Sequence, residues 1–385
     1  MGGKHSSDSD SDNEGNNQIS FQNKDISYIY TTIQILYNLK DFKKYIVEQE
    51  VPEDSDKKLA VLLRRIFLKE EKNINLEKYS KKIYKLINNK YDLELGDTPG
   101  KILIQIIELL NFEENGNKIN IWEETVIQNQ NLFMNTMNQL QALNDFKNIY
   151  QKENNTKINE FFHGILLKRI KIQNFQIMHI FSNYCVYELN IPYIYQNLAS
   201  KGKNIKNPET KKEEISLFDC ISYMKIAKKD VFNNEPCIIE NHMYTTARYL
   251  FFLLKRESEN NNNTFYGDIT YPEKYTDFSN LIIDKNKNNN FKLVSIIKEI
   301  KFMAKNKKKK QNDDDDDKYE WYEEDDDNNN SNKNEEITNK YITIIKDEND
   351  NFYCYNKDNI KVKINLDKKD DESMEHILVY EKCVN

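Results

Sequence analysis

The clearest hydrophobic periodicity of the chain lies near its start, over Lys24 to Glu50. Apolar side chains recur there at three- and four-residue spacing, at Ile29, Ile33, Leu36, Tyr37 and Leu39. This spacing places them on one face of a helix. Three lysines gather towards its far end, where cations favour the helix dipole: Lys40, Lys43 and Lys44. The pattern predicts one long buried helix.

Helical patterns continue through the first half of the chain and give way to strand patterns in the second. Amphipathic helices are predicted over Asp56–Lys69 and Ile74–Asn88, and a turn at 96–100 leads into a buried helix over Lys101–Leu110. A short helix is predicted within Glu214–Ile226. Strand patterns cover Phe161–Ile172, Ala247–Arg256, Phe291–Ile300, Asn339–Lys346, Asn351–Ile360 and Glu375–Lys382. Asn349 to Asn351 predict a hairpin turn.

Three low-complexity segments interrupt these patterns. Residues 1–17 are polar and acidic and predict a disordered tail. Residues 120–157 are rich in Asn and Gln and indicate an insertion or a helical hairpin. Residues 305–336 hold a basic block followed by acidic and Asn blocks, which repel and stay solvated as an insertion. The rest of 18–385 is expected to form one domain.

Composition excludes several classes of protein. The 385 residues are 38% hydrophobic, which suffices for a core, and the net charge of −7 is spread without a sustained basic face. We therefore expect no direct nucleic-acid partner. The cysteines form no C-x-x-C pair, which argues against a disulfide framework or a zinc ribbon, so no metal or cofactor is expected. No apolar run of about 20 residues occurs, so we expect an intracellular protein of the nucleus or cytoplasm.

The N-terminus carries one lipidation pattern. Gly2 and Ser6 fit M-G-x-x-x-[ST], which would give weak, reversible membrane association. A plain solubilising tail is the alternative.

The start of the first predicted helix resembles the opening of the ubiquitin-specific protease domain. The family motif N-x-G-N-T-C-Y-x-N-S-x-L-Q corresponds to residues 22–34 here, QNKDISYIYTTIQ. Further segments follow family landmarks in order: FFHGILLKRIKI, EISLFDCISYMKI, ARYLFFLLKR and EHILVYEK. The resemblance implies an α+β fold of the papain-like thumb-palm-fingers type, with a helical N-terminal half and a mixed β C-terminal half. The C-x-x-C that often follows the first fingers strand is replaced by Ile172 and Phe175, so apolar packing must hold the fingers.

The same resemblance assigns four positions to the family's catalytic residues. Ser27 falls on the nucleophilic cysteine, Lys340 on the histidine, Asn356 on the orienting Asp or Asn, and Gln22 on the oxyanion-hole Asn. A serine hydroxyl is far less acidic than a thiol. Lysine, whose ordinary pKa is about 10.4, is a cation at pH 7 and accepts no proton unless burial lowers its pKa. The site is therefore expected to be degenerate.

Two functions follow from this resemblance. The favoured one is a catalytically inactive protein that binds ubiquitin, a ubiquitin-like modifier or another partner protein as a scaffold. The inactive branch of the family associated with the tri-snRNP would add spliceosomal proteins as partners. The alternative is an active deubiquitinase that cleaves ubiquitin isopeptide bonds with Ser27 and Lys340.

Overall fold

The computed structural model describes the chain from Ser27 to Cys383 with gaps. The described residues are 27–52, 55–69, 76–91, 98–116, 139–153, 156–172, 177–202, 206, 212–226, 228–232, 235–257, 264–285, 288–301, 339–355, 361–364, 366 and 373–383. The predicted tail at 1–17 and insertion at 305–336 lie outside them, as do 120–138 of the Asn/Gln-rich segment.

The described helices lie mostly in the first half of the chain. They are α1 (Ser27–Asn38), α2 (Lys40–Glu48), α3 (Lys58–Phe67), α4 (Leu76–Tyr91), α5 (Pro99–Glu114), α6 (Gln139–Glu153), α7 (Lys157–Phe162), α8 (Ile191–Ser200) and α9 (Leu217–Met224).

The described strands all follow residue 163. They are β1 (Gly164–Ile172), β2 (Ile177–Tyr184), β3 (Val186–Asn190), β4 (Glu214–Ser216), β5 (Lys228–Phe232), β6 (Glu235–Thr245), β7 (Tyr249–Lys255), β8 (Asp268–Thr270), β9 (Thr276–Asp277), β10 (Asn290–Lys301), β11 (Asn339–Lys346), β12 (Phe352–Tyr355), β13 (Lys361–Ile364) and β14 (Ser373–Lys382).

A large mixed sheet forms the centre of the fold. Its strand order is β13-β12-β11-β10-β14-β7-β3, with β9 paired to β10. The pairs are antiparallel except that β3 runs parallel to β7. Every residue of β7 but Lys255 is buried, which confirms the prediction of a strand that is apolar on both faces.

The two faces of this sheet are covered by different helices. Alternate residues of β7 and β14, such as Phe251 and Val379, join the core formed with α1–α5 and α7. Their neighbours Phe252 and Leu378 join a second core that includes residues of α8 and α9. Because strand residues alternate between faces, one sheet supports both layers.

A smaller antiparallel sheet, which we call the finger sheet, has the order β2-β1-β6-β5. Helix α6 packs on it, with the rings of Phe146 and Phe181 6.0 Å apart. Apolar clusters therefore hold this sheet together, as expected from the replaced cysteines. Ile172 ends β1, and Phe175 lies outside the described residues.

The prediction of one long first helix is wrong at Leu39. Its backbone is extended (φ −77°, ψ 95°), so α1 ends at Asn38 and α2 starts at Lys40. The break lets Leu39 and Phe42 both enter the core, at 2% and 0% exposure. The three lysines consequently lie within α2 rather than at the end of α1. Helix α1 is also buried on most sides, not on one face.

The predicted strand at Phe161 is wrong in its first residues. Phe161 and Phe162 end the short helix α7, whose N-cap Thr156 accepts a hydrogen bond from the Asn159 N–H. Strand β1 starts at Gly164, where a Cβ atom would lie 2.6 Å from the Thr245 carbonyl oxygen. Only glycine allows this close backbone approach.

The predicted buried helix after the turn at 96–100 and the predicted hairpin are both confirmed, although the helix is longer at each end than predicted. Helix α5 begins after its N-cap Thr98, with Pro99 at its first position, and continues past Leu110 to Glu114. Strands β11 and β12 form the predicted hairpin, in which Asp350 takes a positive φ of 62°. The Asp347 carboxylate accepts the N–H groups of Asn349 and Asn351 in that turn. None of the described helices has the length and apolar character needed to cross a bilayer.

Candidate functional site

Ser27 is the first described residue of α1 and is completely buried. Its carbonyl oxygen accepts a hydrogen bond from the Thr31 hydroxyl at 2.8 Å. The Thr32 hydroxyl bonds in the same way to the Tyr28 carbonyl at 2.8 Å. Because both threonine hydroxyls donate to carbonyl oxygens of their own helix, this polar turn can be buried in the core.

The hydroxyl of Ser27 contacts strand β11. The backbone N–H of Tyr341 donates to the Ser27 Oγ at 3.1 Å. One helical turn further on, the Thr343 hydroxyl donates to the Thr31 carbonyl at 3.4 Å. The start of α1 therefore lies along β11, although these residues are more than 300 positions apart in sequence.

Lys340 immediately precedes Tyr341 on this strand. Its backbone pairs with Ile300 of β10, and its side chain lies outside what the structure describes. The structure thus brings the backbone of residue 340 next to Ser27, two positions that the sequence resemblance assigned to one site.

The other predicted site residues lie outside the described residues. These are Asn356, Gln22 and Gly2. Tyr355, the neighbour of Asn356, pairs with Thr343 at the end of β12. Strand β12, which pairs with β11, therefore ends one residue before Asn356.

A histidine that sequence reasoning did not single out lies beside Tyr341. The rings of His376 and Tyr341 are 5.4 Å apart. Burial, with the nearby Arg256 cation, lowers the pKa of His376 to about 4. Its Nε2 is buried without a hydrogen-bond partner in the described part of the chain. The sequence places His376 in the predicted closing strand, EHILVYEK, but no pattern there predicts that its ring lies near residue 341.

The cysteines offer no obvious replacement for a catalytic thiolate. Burial raises the pKa of Cys185 to about 12 and that of Cys354 to about 11. Cys354 pairs with Ile344, which belongs to the core on the face of the sheet away from α1. Cys220 is completely buried. High pKa and burial both keep a thiol protonated and unreactive.

The other histidines that the structure describes, His163, His179 and His242, are packed side chains. Burial lowers the pKa of His163 to about 4. His179 and His242 lie on the finger sheet, where burial lowers the pKa of each. Within the described ranges, no three His, Cys, Asp or Glu side chains are grouped closely enough to hold a metal ion.

The geometry restricts what Ser27 can do. A hydrolytic nucleophile needs an oxygen that is open to the substrate and bonded to a base. The Ser27 oxygen has no exposed surface and accepts a main-chain N–H. In this conformation it functions as a contact between α1 and the central sheet.

Comparison with known proteins bears on the fold. No family model matches the sequence, and no curated protein matches it. Solved structures do match, including the SAGA Ubp8/Sgf11/Sus1/Sgf73 DUB module, with a TM-score of 0.54, 14% identity and coverage of 94% of this chain. The same module with a substituted Ubp8 matches with a TM-score of 0.54, 14% identity and 93% coverage.

This chain covers 66% and 67% of the two matched chains, so about a third of each has no counterpart here. At this identity the match establishes the fold. The chain has an α+β fold like that of the ubiquitin-specific protease Ubp8, with helices first and a mixed sheet after them.

Proposed function

We propose that this protein is a catalytically inactive, ubiquitin-specific-protease-like scaffold that binds ubiquitin, a ubiquitin-like modifier or another partner protein. The observation that supports it most is the environment of Ser27. Its Oγ is completely buried and accepts the Tyr341 N–H at 3.1 Å. A group held in this way cannot reach a substrate carbonyl without a rearrangement of α1 or β11.

The residue types support the same proposal. A serine stands where the resembling family has a cysteine, and a lysine stands where it has a histidine. The hydroxyl needs a strong base, and an ammonium group at pH 7 is not one. Catalysis and protein binding depend on different sites of a fold, so loss of the reactive groups does not by itself remove a binding surface.

Two measurements on the full chain test the proposal. Isothermal titration with ubiquitin is expected to show saturable binding, and a fluorogenic ubiquitin C-terminal amide is expected to show no turnover above the uncatalysed rate. Turnover would refute inactivity. Absence of ubiquitin binding would refute ubiquitin as the partner and leave a modifier of another kind or an unrelated protein, which affinity purification from cell extract would identify.

A second candidate is an active hydrolase that uses Ser27 and Lys340. The observation in its favour is the Ser27 contact with Tyr341, since Tyr341 follows Lys340 directly. On this account Lys340 would act as a buried amine of lowered pKa, Asn356 would orient it, and Gln22 would stabilise the oxyanion. Activity should then be lost in both Ser27→Ala and Lys340→Met and should rise with pH.

The place of the protein in the cell separates two further proposals. A role in pre-mRNA splicing requires a nuclear location and co-purification with spliceosomal proteins. Attachment of a lipid at Gly2 requires a mass increase of the N-terminal peptide and recovery of the protein with membranes. Mass spectrometry of the purified protein tests lipid attachment at Gly2. Cell fractionation followed by proteomics tests the role in splicing.

A further inference from the structure

The finger sheet leaves large apolar side chains exposed on one of its faces. Ile177, Val231 and Ile238 are 37%, 64% and 38% exposed. In the strand register Lys171 lies opposite both Ile177 and Ile238, and Lys229 also lies opposite Ile238. Side chains of antiparallel partners share a face of the sheet. These residues therefore form one row across four strands.

Val231 extends the row towards the end of the sheet. It pairs with Pro236, which is exposed as well. We call the surface made by Lys171, Ile177, Lys229, Val231 and Ile238 the finger face. The exposed apolar groups are neighbours here, whereas isolated ones on a protein surface need no explanation.

Helix α6 covers the inner part of the same face. The rings of Phe146 on α6 and Phe181 on β2 pack together, and the Gln139 side chain accepts a hydrogen bond from Arg169 at 3.2 Å. Gln139 is the first residue of α6. Among the described residues, α6 therefore covers this face of the sheet as far as Arg169, and the finger face is the part that α6 leaves uncovered.

The charge of the finger face differs from that of the whole protein. The chain carries a net charge of −7, yet the row contains two lysines, and Arg169 lies in the next row. Among the described residues of these two rows the carboxylate is Glu240, which bonds to Lys171 at 2.6 Å and lies 3.4 Å from His242. Lys229 is exposed and Arg169 faces Gln139. A local excess of positive charge remains.

We propose that the finger face docks an acidic peptide segment of a partner protein, with aliphatic side chains placed between its carboxylates. The aliphatic groups cover Ile177, Ile238 and Val231, and the carboxylates pair with Lys229. Apolar contact supplies affinity, while the charges select the partner and speed its association. A basic or purely polar segment does not fit both features.

Fluorescence anisotropy on the full chain tests this proposal. The first probe is a labelled synthetic peptide of alternating Asp and Leu residues, and the second is the same peptide with Lys in place of Asp. The acidic peptide should bind and weaken as salt is raised. The double variant Lys229→Glu, Ile238→Ser should bind it about tenfold more weakly, because it removes one apolar contact and reverses one charge.

A matched control is available on the other sheet. Val362 and Lys363 on β13 are also exposed, and Val362→Ser with Lys363→Glu makes the same chemical changes there. This control should bind the acidic peptide within about twofold of the unaltered protein. Circular dichroism melting curves of both variants establish that each is folded at the temperature of the binding measurement.

Several results would overturn the proposal. If the Lys peptide binds as tightly as the Asp peptide, charge does not select the partner. If both double variants lose the same affinity, the peptide does not bind at the finger face. Loss of a dimer in the finger-face variant would assign the face to a second copy of the chain. Competition by ubiquitin for the acidic peptide would assign it to the binding surface of the proposed function instead.

Discussion

At the scale of single residues, the Ser27 oxygen is the most informative atom in the structure. The sequence resemblance predicted that residues 27 and 340 belong to one site, and the Tyr341 N–H to Ser27 contact brings their backbones together. The sequence did not predict that the oxygen would be buried and bonded to a main-chain group. That property depends on how α1 packs against β11, which no local pattern encodes.

Replacement of Ser27 should therefore affect stability. In Ser27→Ala the buried Tyr341 N–H loses its acceptor, and we expect the free energy of unfolding to fall by about 1–2 kcal/mol. Urea denaturation measures the change. Ser200→Ala is a suitable control, because the Ser200 hydroxyl is exposed and bonds within its own helix; its loss should stay within about 0.5 kcal/mol. Equal losses in the two variants would show that the Ser27 contact contributes nothing special.

Two buried histidines give the molecule a sensitivity to acid. Burial lowers the pKa values of His163 and His376 to about 4, and each has a buried ring nitrogen without a partner among the described residues. An unfolded histidine titrates near about 6.5. Between about pH 6.5 and pH 4 these histidines are protonated in the unfolded chain but neutral in the folded chain. The free energy of unfolding therefore has its full value above about pH 6.5 and falls as the pH is lowered towards about 4.

This reasoning predicts a loss of stability on going from pH 7 to pH 5. Because each histidine is partly exposed, we expect the free energy of unfolding to fall by about 1 kcal/mol per histidine, which is less than the whole pKa shift would give. His376→Gln should lose less over this interval than the unaltered protein, as measured by urea denaturation at both pH values. The exposed Lys363→Gln should keep the original dependence. A His376→Gln protein with unchanged pH dependence would contradict the assignment.

At the scale of secondary-structure elements, the end of α5 holds two other helices in place. The Glu113 carboxylate accepts the N–H groups of Leu59 at 2.8 Å and Ala60 at 3.0 Å, at the start of α3. The Glu114 carboxylate accepts those of Lys157 at 2.9 Å and Ile158 at 3.1 Å, at the start of α7. Carboxylates at helix N-termini satisfy free N–H groups and interact favourably with the dipole.

Removal of either carboxylate should cost stability. Glu113→Ala and Glu114→Ala each leave two N–H groups without their acceptors, and we expect losses of about 2 kcal/mol. The loss at Glu113 should be the larger, because the residue is buried and Glu114 is only partly so. Glu160→Ala on α7 is the control, since its side chain is 60% exposed and should lose about 0.5 kcal/mol or less. Thermal unfolding by calorimetry compares the three.

The sequence predicted these elements better than their boundaries. Strands such as β7, β10 and β14 carry long apolar or alternating runs, and α5 has a Thr98–Pro99 start, so pattern alone locates them. The break at Leu39 carries no proline or glycine, so nothing in the local sequence marks it. The roles of Glu113 and Glu114 depend on helices far away in sequence, so no local pattern could reveal them.

At the scale of the whole molecule, Arg248 links the helical half to the central sheet. Its guanidinium lies 2.7 Å from the Asp41 carboxylate on α2 and 3.0 Å from that of Glu381 on β14. It also donates to the Lys382 carbonyl at 2.7 Å. The side chain is 21% exposed, so these bonds are screened only in part.

Loss of this link should weaken the molecule as a unit. We expect Arg248→Ala to lower the free energy of unfolding by about 2–3 kcal/mol, because it removes three charge-assisted contacts and leaves Glu381 partly buried. Lys255→Ala removes an exposed pair with Glu188, in which the side chains are 46% and 45% exposed, and should cost about 1 kcal/mol or less. Guanidinium denaturation followed by far- and near-ultraviolet circular dichroism, which report on secondary structure and on aromatic packing, would show whether the molecule still unfolds in one step.

We infer that residue 27, which is buried and bonded to the Tyr341 N–H, is closed to substrate. Ubiquitin carrying a C-terminal electrophile, incubated with the unaltered protein and with Ser27→Cys and followed by mass spectrometric mapping, tests it most directly. We predict no adduct at residue 27 in either protein, because the position is buried and bonded to the Tyr341 N–H. A ubiquitin adduct at residue 27 would contradict the account.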